Sequence, residues 1–315
     1  MVKPAPLPPR ARSASHQPRM EVRPIVKWAG GKSRLLPELR KHLPAEIRTY
    51  AEPFAGGAAL FFSLAQDDLS GLRGARRFKQ AILADQNEDL IACYRAVRDA
   101  VEDLIVALGE YRYEKELFYE VRDRDPRTMG DVERGARFVF LNRTCFNGLW
   151  RVNSKGKFNV PFGRYTNPKI ADPVGLRAAS KALQNVTLEH ADFSDVTAKL
   201  RAGDFVYFDP PYVPASDTAD FTSYAVEGFG ATEQARLVDE LERLRTRGVF
   251  AMLSNADTPR TRALYKDFHF ETVEAPRSIN ADGAKRGTAT ELIVTNWGPK
   301  PAAKKSAARA RSARS

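Results

Sequence analysis

An α/β fold, with a mostly parallel sheet covered by helices on both faces and closed by a final hairpin, is predicted by three features of this 315-residue sequence. Short apolar strands alternate with stretches of helical periodicity along most of the chain. Hydrophobic residues make up 43% of it, enough to bury the core of one large domain or two interlocked ones. Gly-rich and acidic positions fall at strand ends, where ligands bind in such sheets.

Residues 48–51 read as the first strand, which enters a Gly turn, and residues 58–65 then have the Ala/Leu/Phe content of a buried helix. Residues 80–84 form a second strand ended by Asp85. Asn87 can cap one helix on which Leu90, Ile91, Tyr94, Val97, Val101 and Leu104 recur at helical spacing. From about 110 to 170, charged and aromatic helix-like pieces give way to a Gly/Asn-rich segment over 142–168, with a hairpin turn at Ser154-Lys155-Gly156-Lys157. This reads as an insertion. Alternation resumes with strands over 186–188 and 205–208, a helix on Leu237, Leu241 and Leu244 that stops at Gly248, and a strand over 249–254. Two last strands, 268–273 and 291–295, flank a polar loop.

The net charge of +11 is unevenly placed. Residues 1–20 carry four basic side chains and no acid, and residues 299–315 carry six and no acid. With those ten set aside, the remaining 40 basic residues nearly match 39 acidic ones. Both ends are Ala/Pro/Ser-rich and read as disordered arms, offering sequence-blind phosphate attraction or simply solvation. Within the body, Arg134, Arg137, Arg143, Arg151, Lys155, Lys157, Arg164 and Lys169 fall in a stretch without Asp or Glu and read as a basic patch on a folded element. No apolar stretch approaches the roughly 18 residues that span a bilayer, and the N-terminus is not signal-like, so a cytoplasmic protein is expected. Cys93 and Cys145 lie 52 positions apart without CxxC spacing, which argues against a disulfide framework or a metal site.

Three segments carry chemistry. Pro53-Phe54-Ala55-Gly56-Gly57 follows the first strand, where Gly allows close backbone approach to a ligand. It is not the GxGxxG fingerprint. Asp85 is placed to accept hydrogen bonds from ribose hydroxyls, although either feature alone could be an ordinary turn. In Lys27-Trp28-Ala29-Gly30-Gly31-Lys32-Ser33 the end resembles a P-loop, but Val26 stands where its first glycine is required. An NTPase is excluded, while closure over a nucleoside or contact with DNA phosphate remains open. Phe205-Val206-Tyr207-Phe208-Asp209-Pro210-Pro211-Tyr212 is the most specific: a buried strand delivers one carboxylate, two prolines end the strand, and an aromatic follows. Asp209 and the Pro210 carbonyl can both accept from an exocyclic amine, with Tyr212 stacked on the ring.

Taken in order, Lys27 to Lys32, Pro53 to Gly57, Asp85 with Asn87, and Asp209-Pro210-Pro211-Tyr212 resemble the Dam family of DNA adenine methyltransferases, in that family's alpha arrangement. Phe146-Asn147-Gly148-Leu149-Trp150-Arg151-Val152-Asn153 and Lys157-Phe158-Asn159-Val160-Pro161-Phe162-Gly163-Arg164-Tyr165 are similar to the target-recognition hairpin of its GATC-modifying members. The resemblance runs from about Ile25 to Trp297. It implies a Rossmann-like S-adenosylmethionine-dependent methyltransferase sheet with an inserted helical and β-hairpin target-recognition domain. The expected organisation is a disordered arm over 1–20, a discontinuous catalytic domain over 21–100 and 171–298, a target-recognition insertion over 101–170, and a disordered tail over 299–315.

The resemblance further implies that Trp28, Lys32, Glu52, Phe54, Gly56, Asp85, Asp192, Phe193 and Asp209 surround S-adenosylmethionine, and that Asp209, Pro210, Pro211 and Tyr212 form the catalytic segment. Asp192 matches the acid near the cofactor adenine. Glu52 departs from the family's more usual Asp, which affects reach rather than role. Lys27, Asn147, Leu149, Arg151, Asn153, Lys157, Pro161, Arg164 and Tyr165 are implied DNA contacts, Arg151 suiting a guanine fork. Lys285 and Arg286 match a loop that touches DNA backbone, with a solvated hairpin tip as the plainer reading. Phe146 stands where many relatives have Tyr. The expected activity is methyl transfer from S-adenosylmethionine to N6 of a flipped adenine in duplex DNA, within GATC, by a monomer that needs no metal. A cognate restriction endonuclease is neither implied nor excluded. Neither cysteine follows a proline, which argues against the thiolate route to cytosine C5. Two alternatives stand beside this: a methyltransferase of RNA or a protein amide, and a DNA-binding relative without turnover.

Overall fold

Seven strands form one sheet in the order β3-β2-β1-β4-β5-β7-β6: β1 (Thr49–Glu52), β2 (Gln80–Asp85), β3 (Val186–His190), β4 (Phe205–Phe208), β5 (Phe250–Ala256), β6 (His269–Pro276) and β7 (Thr288–Thr295). The computed structural model describes residues 21–69, 78–212, 229–276 and 288–298. β3, β2, β1, β4 and β5 run parallel, while β7 pairs antiparallel with both β5 and β6. The predicted mostly parallel sheet with a closing hairpin is therefore present, as a Rossmann-like sheet.

The strands are short and nearly all apolar because both faces are covered. Alternate residues point to opposite faces. On β4, Phe205 and Tyr207 join one core with α1 (Leu36–Lys41), α2 (Ala59–Leu69), α3 (Glu88–Asp99), α4 (Val101–Gly109), α6 (Asp131–Thr144) and α7 (Pro173–Leu183). Val206 and Phe208 join the other, formed with α8 (Phe193–Ala198), α9 (Ala231–Thr246) and α10 (Pro259–Leu264). A third cluster gathers Phe118 and Val121 of α5 (Lys115–Asp123) with Phe140, Cys145, Phe158 and Val160.

Local sequence explains the helix starts. The Asn87 side chain accepts from Leu90 N, and Thr258 forms a capping box with Thr261 ahead of Pro259. One expectation needs correction: the helix read through Leu90 to Leu104 is two helices, broken where Ala100 leaves helical geometry (φ −144°, ψ 47°). The hydrophobic period survives the break, since Val97 before it and Leu104 after it are both buried in the core. α6 then packs closely on α3 through Gly135, where a Cβ would stand 3.0 Å from Ala96 Cβ.

Candidate active site

Strand order reverses between β1 and β4, so the loops after them flank the crevice in which such sheets bind ligands. After β1, Gly56 adopts a left-handed conformation (φ +46°), and a Cβ there would lie 2.5 Å from Trp28 Cδ1. The turn is tied down from three sides. Ala55 N donates to Ala84 O (2.9 Å), Gly56 N to Asp85 Oδ2 (3.0 Å), and Tyr94 Oη to Gly56 O (2.7 Å). Asp85 also accepts from Asn87 N at 2.9 Å. Burial pushes the Asp85 carboxyl up, against the hydrogen bonds from Gly56 and Asn87 that pull it down.

Strand parity assembles the polar part of the site. Glu52, Tyr207, Asp209, Ser254 and Glu291 share the sheet face of Tyr50, Phe205, Met252 and Ile293. Asp209 Oδ1 receives two donors, Lys32 Nζ at 2.8 Å and Ser254 Oγ at 3.1 Å. Lys32 is 6% exposed and its ammonium also reaches Gly30 O. Burial raises the Asp209 carboxyl, and the Lys32 charge is the largest opposing influence. Tyr212 lies with its ring 4.6 Å from Lys32 Nζ, and its hydroxyl donates to Glu291 Oε2 at 2.6 Å. Glu52 is fully enclosed; its Oε1 accepts from Phe61 N (2.9 Å) and from the Tyr50 hydroxyl. Burial drives Glu52 to about 8, and the charge of Asp209 adds to the rise.

Asp192 caps α8, accepting from Ser194 N (3.0 Å), and is gripped by Arg236 Nη2 on Oδ1 (2.9 Å) and Gln86 Nε2 on Oδ2 (3.0 Å). Desolvation would raise it, but the Ser194 hydrogen bonds and Arg236 hold it below the usual carboxylate range. Phe193 stacks on Phe54 at 5.7 Å, and the Arg236 guanidinium covers its ring at 4.8 Å. Phe208 and Phe229 complete an aromatic wall around Phe54.

The hairpin hangs from α6. Phe146 N donates to Pro161 O and Gly163 N to Thr144 O, both at 2.8 Å, and the ribbon continues through Asn159 N to Arg151 O (3.0 Å) and Asn153 N to Lys157 O (2.9 Å). The Ser154 to Lys157 turn forms as expected. Asn147 is left-handed (φ +55°) next to Gly148 (φ +64°). Arg151, Lys157, Pro161 and Arg164 are exposed, as is Phe146, whereas Leu149 is half-buried against the third cluster. Asn153 is spent on the turn, its Oδ1 accepting from Lys155 N and Lys157 N. Tyr165 is anchored by its hydroxyl on Cys145 O (2.9 Å).

The acid-free basic run does not form a single patch. Arg134 pairs with Glu88 and Asp89, buried Arg137 donates to Val121 O and Arg122 O, and Arg143 donates to Ile25 O. Counting along the chain could not see the acids of α3 or these carbonyls. The open basic face is Arg151, Lys155, Lys157 and Arg164.

The Lys27 to Lys32 loop brings the two regions together. Lys27 exchanges hydrogen bonds with Asn142 (2.8 Å each), lies against Gly148 and places its ammonium 4.4 Å from the Tyr165 ring centre. Trp28 rests on Gly56, and Lys32 holds Asp209. Pro210 and Pro211 follow Asp209, and Gln234 Nε2 donates to Pro211 O at 3.0 Å. Lys285, Arg286 and both basic arms lie outside the described residues. Sequence reading missed Gln86, Tyr94, Tyr207, Arg236, Ser254 and Glu291; a polar residue inside an otherwise apolar strand was the available signal for the last two. Cys93 and Cys145 are buried and both thiols are pushed up to about 12, which disfavours a nucleophilic thiolate. Among the described residues no group of His, Cys, Asp and Glu could hold a metal ion, and no helix is long and apolar enough to cross a membrane.

A profile of the D12 class N6 adenine-specific DNA methyltransferases matches residues 28–279. A type II methyltransferase of Lactococcus lactis subsp. cremoris, M1.LlaDCHI, is 44% identical over 288 residues, covering 89% of this chain and 97% of that protein. M.MjaIII, a type II methyltransferase of Methanocaldococcus jannaschii, is 42% identical over 297 residues, 88% of this chain and all of that one. The DNA adenine methylase of Escherichia coli K12 is 34% identical over 276 residues, 86% of this chain and 94% of that one.

Proposed function

Because the chain belongs to the D12 class of N6 adenine-specific DNA methyltransferases, we propose that it methylates N6 of an adenine flipped from duplex DNA, within GATC, with S-adenosylmethionine as donor. One observation carries this reading: a single carboxylate, Asp209, fixed by Lys32 and Ser254 beside Tyr212 at the reversal of strand order. The cofactor would supply an electrophilic methyl group on a sulfonium centre. The residues fit it. The Gly56 turn admits no Cβ, Asp192 Oδ2 and Asp85 offer acceptors for an adenine amine and ribose hydroxyls, Phe193 backs the site through Phe54, and the enclosed Glu52 is held by Tyr50 and Phe61 N. Asp192 Oδ1 is filled by the Ser194 amide and hydroxyl and by Arg236, which leaves Oδ2, bonded to Gln86, as its acceptor, while Asp85 takes one such bond on each oxygen.

Asp209 and the Pro210 carbonyl accept from the adenine amine, orienting the nitrogen lone pair and withdrawing it from the ring, while Tyr212 stacks on the base. No covalent enzyme intermediate is needed, consistent with the buried thiols. Flipping costs a few kcal/mol, which contacts from Arg151, Lys157 and their neighbours offset. Leu149 and Arg151 read base edges, Asn147 occupies the space near the flipped base, and Phe146 beside it stacks. A cytoplasmic, DNA-associated monomer fits this activity. Expression in a host lacking adenine methylation, followed by genome-wide mapping of modified adenines, tests the proposal. Methylated adenine confined to GATC is expected. Modification in another sequence would overturn the GATC assignment, and no modified adenine would overturn the activity.

A further inference from the structure

We infer that Ser254 and Tyr207 are positioning residues: a buried hydroxyl chain from Tyr207 to Ser254 to Asp209 loads carboxylate oxygen Oδ1, together with Lys32, and reserves Oδ2 for the adenine amine. This deepens the methyltransferase reading and rests on it. Ser254 Oγ stands 3.1 Å from Asp209 Oδ1 and 2.8 Å from the Tyr207 hydroxyl, and both hydroxyl-bearing residues are buried in the sheet. A serine has one hydrogen, and an ionised carboxylate can only accept. Ser254 therefore donates to Asp209, and Tyr207 donates to Ser254.

The chain answers a geometric need. The terminal torsion of an aspartate is broad and nearly two-fold, so a backbone fixed by two prolines does not by itself fix which oxygen faces the substrate. Two donors converging on Oδ1 remove that freedom, and no described residue donates to Oδ2. Lys32 contributes charge on a flexible stem, whereas Ser254 is part of β5, hydrogen-bonded to β4 on one side and β7 on the other. The other titratable groups around Asp209 are Glu52 of β1, Tyr207 of β4, Tyr212 and, beyond it, Glu291 of β7. Of these, only Tyr207 is linked to Asp209 through Ser254. Burial raises Asp209 while Lys32 and Ser254 lower it, so losing the serine hydroxyl moves its ionisation to higher pH.

Single-turnover methylation of a GATC duplex by the full chain, followed across pH, tests the inference. Ser254→Ala is expected to lower the rate roughly ten- to hundredfold, the range of a lost hydrogen bond to a charged group. The acid limb of its pH profile should move up by roughly one unit, with duplex and cofactor affinity little changed. Tyr207→Phe, nearly isosteric, should give a smaller fall and a smaller shift in the same direction. A Ser254→Ala enzyme with the wild-type rate and acid limb would overturn the inference, as would a slower enzyme whose acid limb has not moved. If Ser254→Ala does not fold, an unchanged rate and acid limb in Tyr207→Phe overturn it instead. A wild-type chain that methylates no duplex would instead remove the methyltransferase reading beneath it.

Discussion

Gly56 and Gly156 both sit in turns with left-handed backbone, and their surroundings are opposite. A Cβ on Gly56 would enter the Trp28 ring, whereas one on Gly156, at φ +71°, would meet nothing within 4 Å. The first turn belongs to the region around Asp209, where Lys32, Ser254, Tyr207, Tyr212 and Glu291 are joined by side-chain hydrogen bonds and an ion pair. The second is the tip of a hairpin whose side chains face solvent. In the proposed reaction this difference separates labour. Groups that touch reacting atoms are held in place beforehand, and groups that read DNA are left to find their partner in the complex.

Adding the same methyl group to both turns should have very different effects. Gly56→Ala combines overlap with Trp28 and a disfavoured φ, and should destabilise by roughly 3 kcal/mol or more. Gly156→Ala carries only the conformational cost, about 1 to 2 kcal/mol. Denaturant melts measure both; equal losses would remove the distinction between the regions. A pH series sharpens it further. Glu52 has a folded value of about 8 against an ordinary value of 4.5, so the stability it contributes is complete below its ordinary value and is lost as pH rises through 8. The melting temperature should therefore fall between about pH 5 and 8, and Glu52→Gln should flatten that fall, with Asp85 and Asp209 leaving a residual slope of the same sign. An unaltered slope in Glu52→Gln would show that Glu52 does not take up a proton on folding.

On the hairpin side, Arg151→Ala should leave melting unchanged and relax discrimination at one base pair by about 1 to 3 kcal/mol. Equal loss on all sequences would mean that Arg151 contacts phosphate. Lys157→Ala should weaken all duplexes alike and reduce the salt slope by about one. A base-specific loss would reassign it to base reading.

How far the sequence foretold this division follows from which contacts are local. Asn87, the Gly56 turn, the Asp-Pro-Pro-Tyr segment and the hairpin turn were legible because each is encoded within a few consecutive residues. Ser254 and Glu291 were not, since their partners lie 45 and 79 positions away and only sheet register brings them together. Arg236 was hidden because a helix charge looks like solvated surface until Asp192 and Phe193 stand beneath it. The basic run was over-read for the same reason, as three of its arginines are bound by α3 acids and by carbonyls distant in sequence. The helix break at Ala100 escaped because periodicity records which residues are buried, not whether the backbone between them stays helical.

In the proposed reaction the Asp209 carboxylate holds the amine of the base during transfer. Single-turnover methylation of a GATC duplex by purified Asp209→Ala, with duplex and cofactor affinities measured alongside, addresses it most directly. A rate loss greater than about a hundredfold, with both affinities and the melting temperature near wild type, is the expected result. A rate within a few-fold of wild type would contradict it.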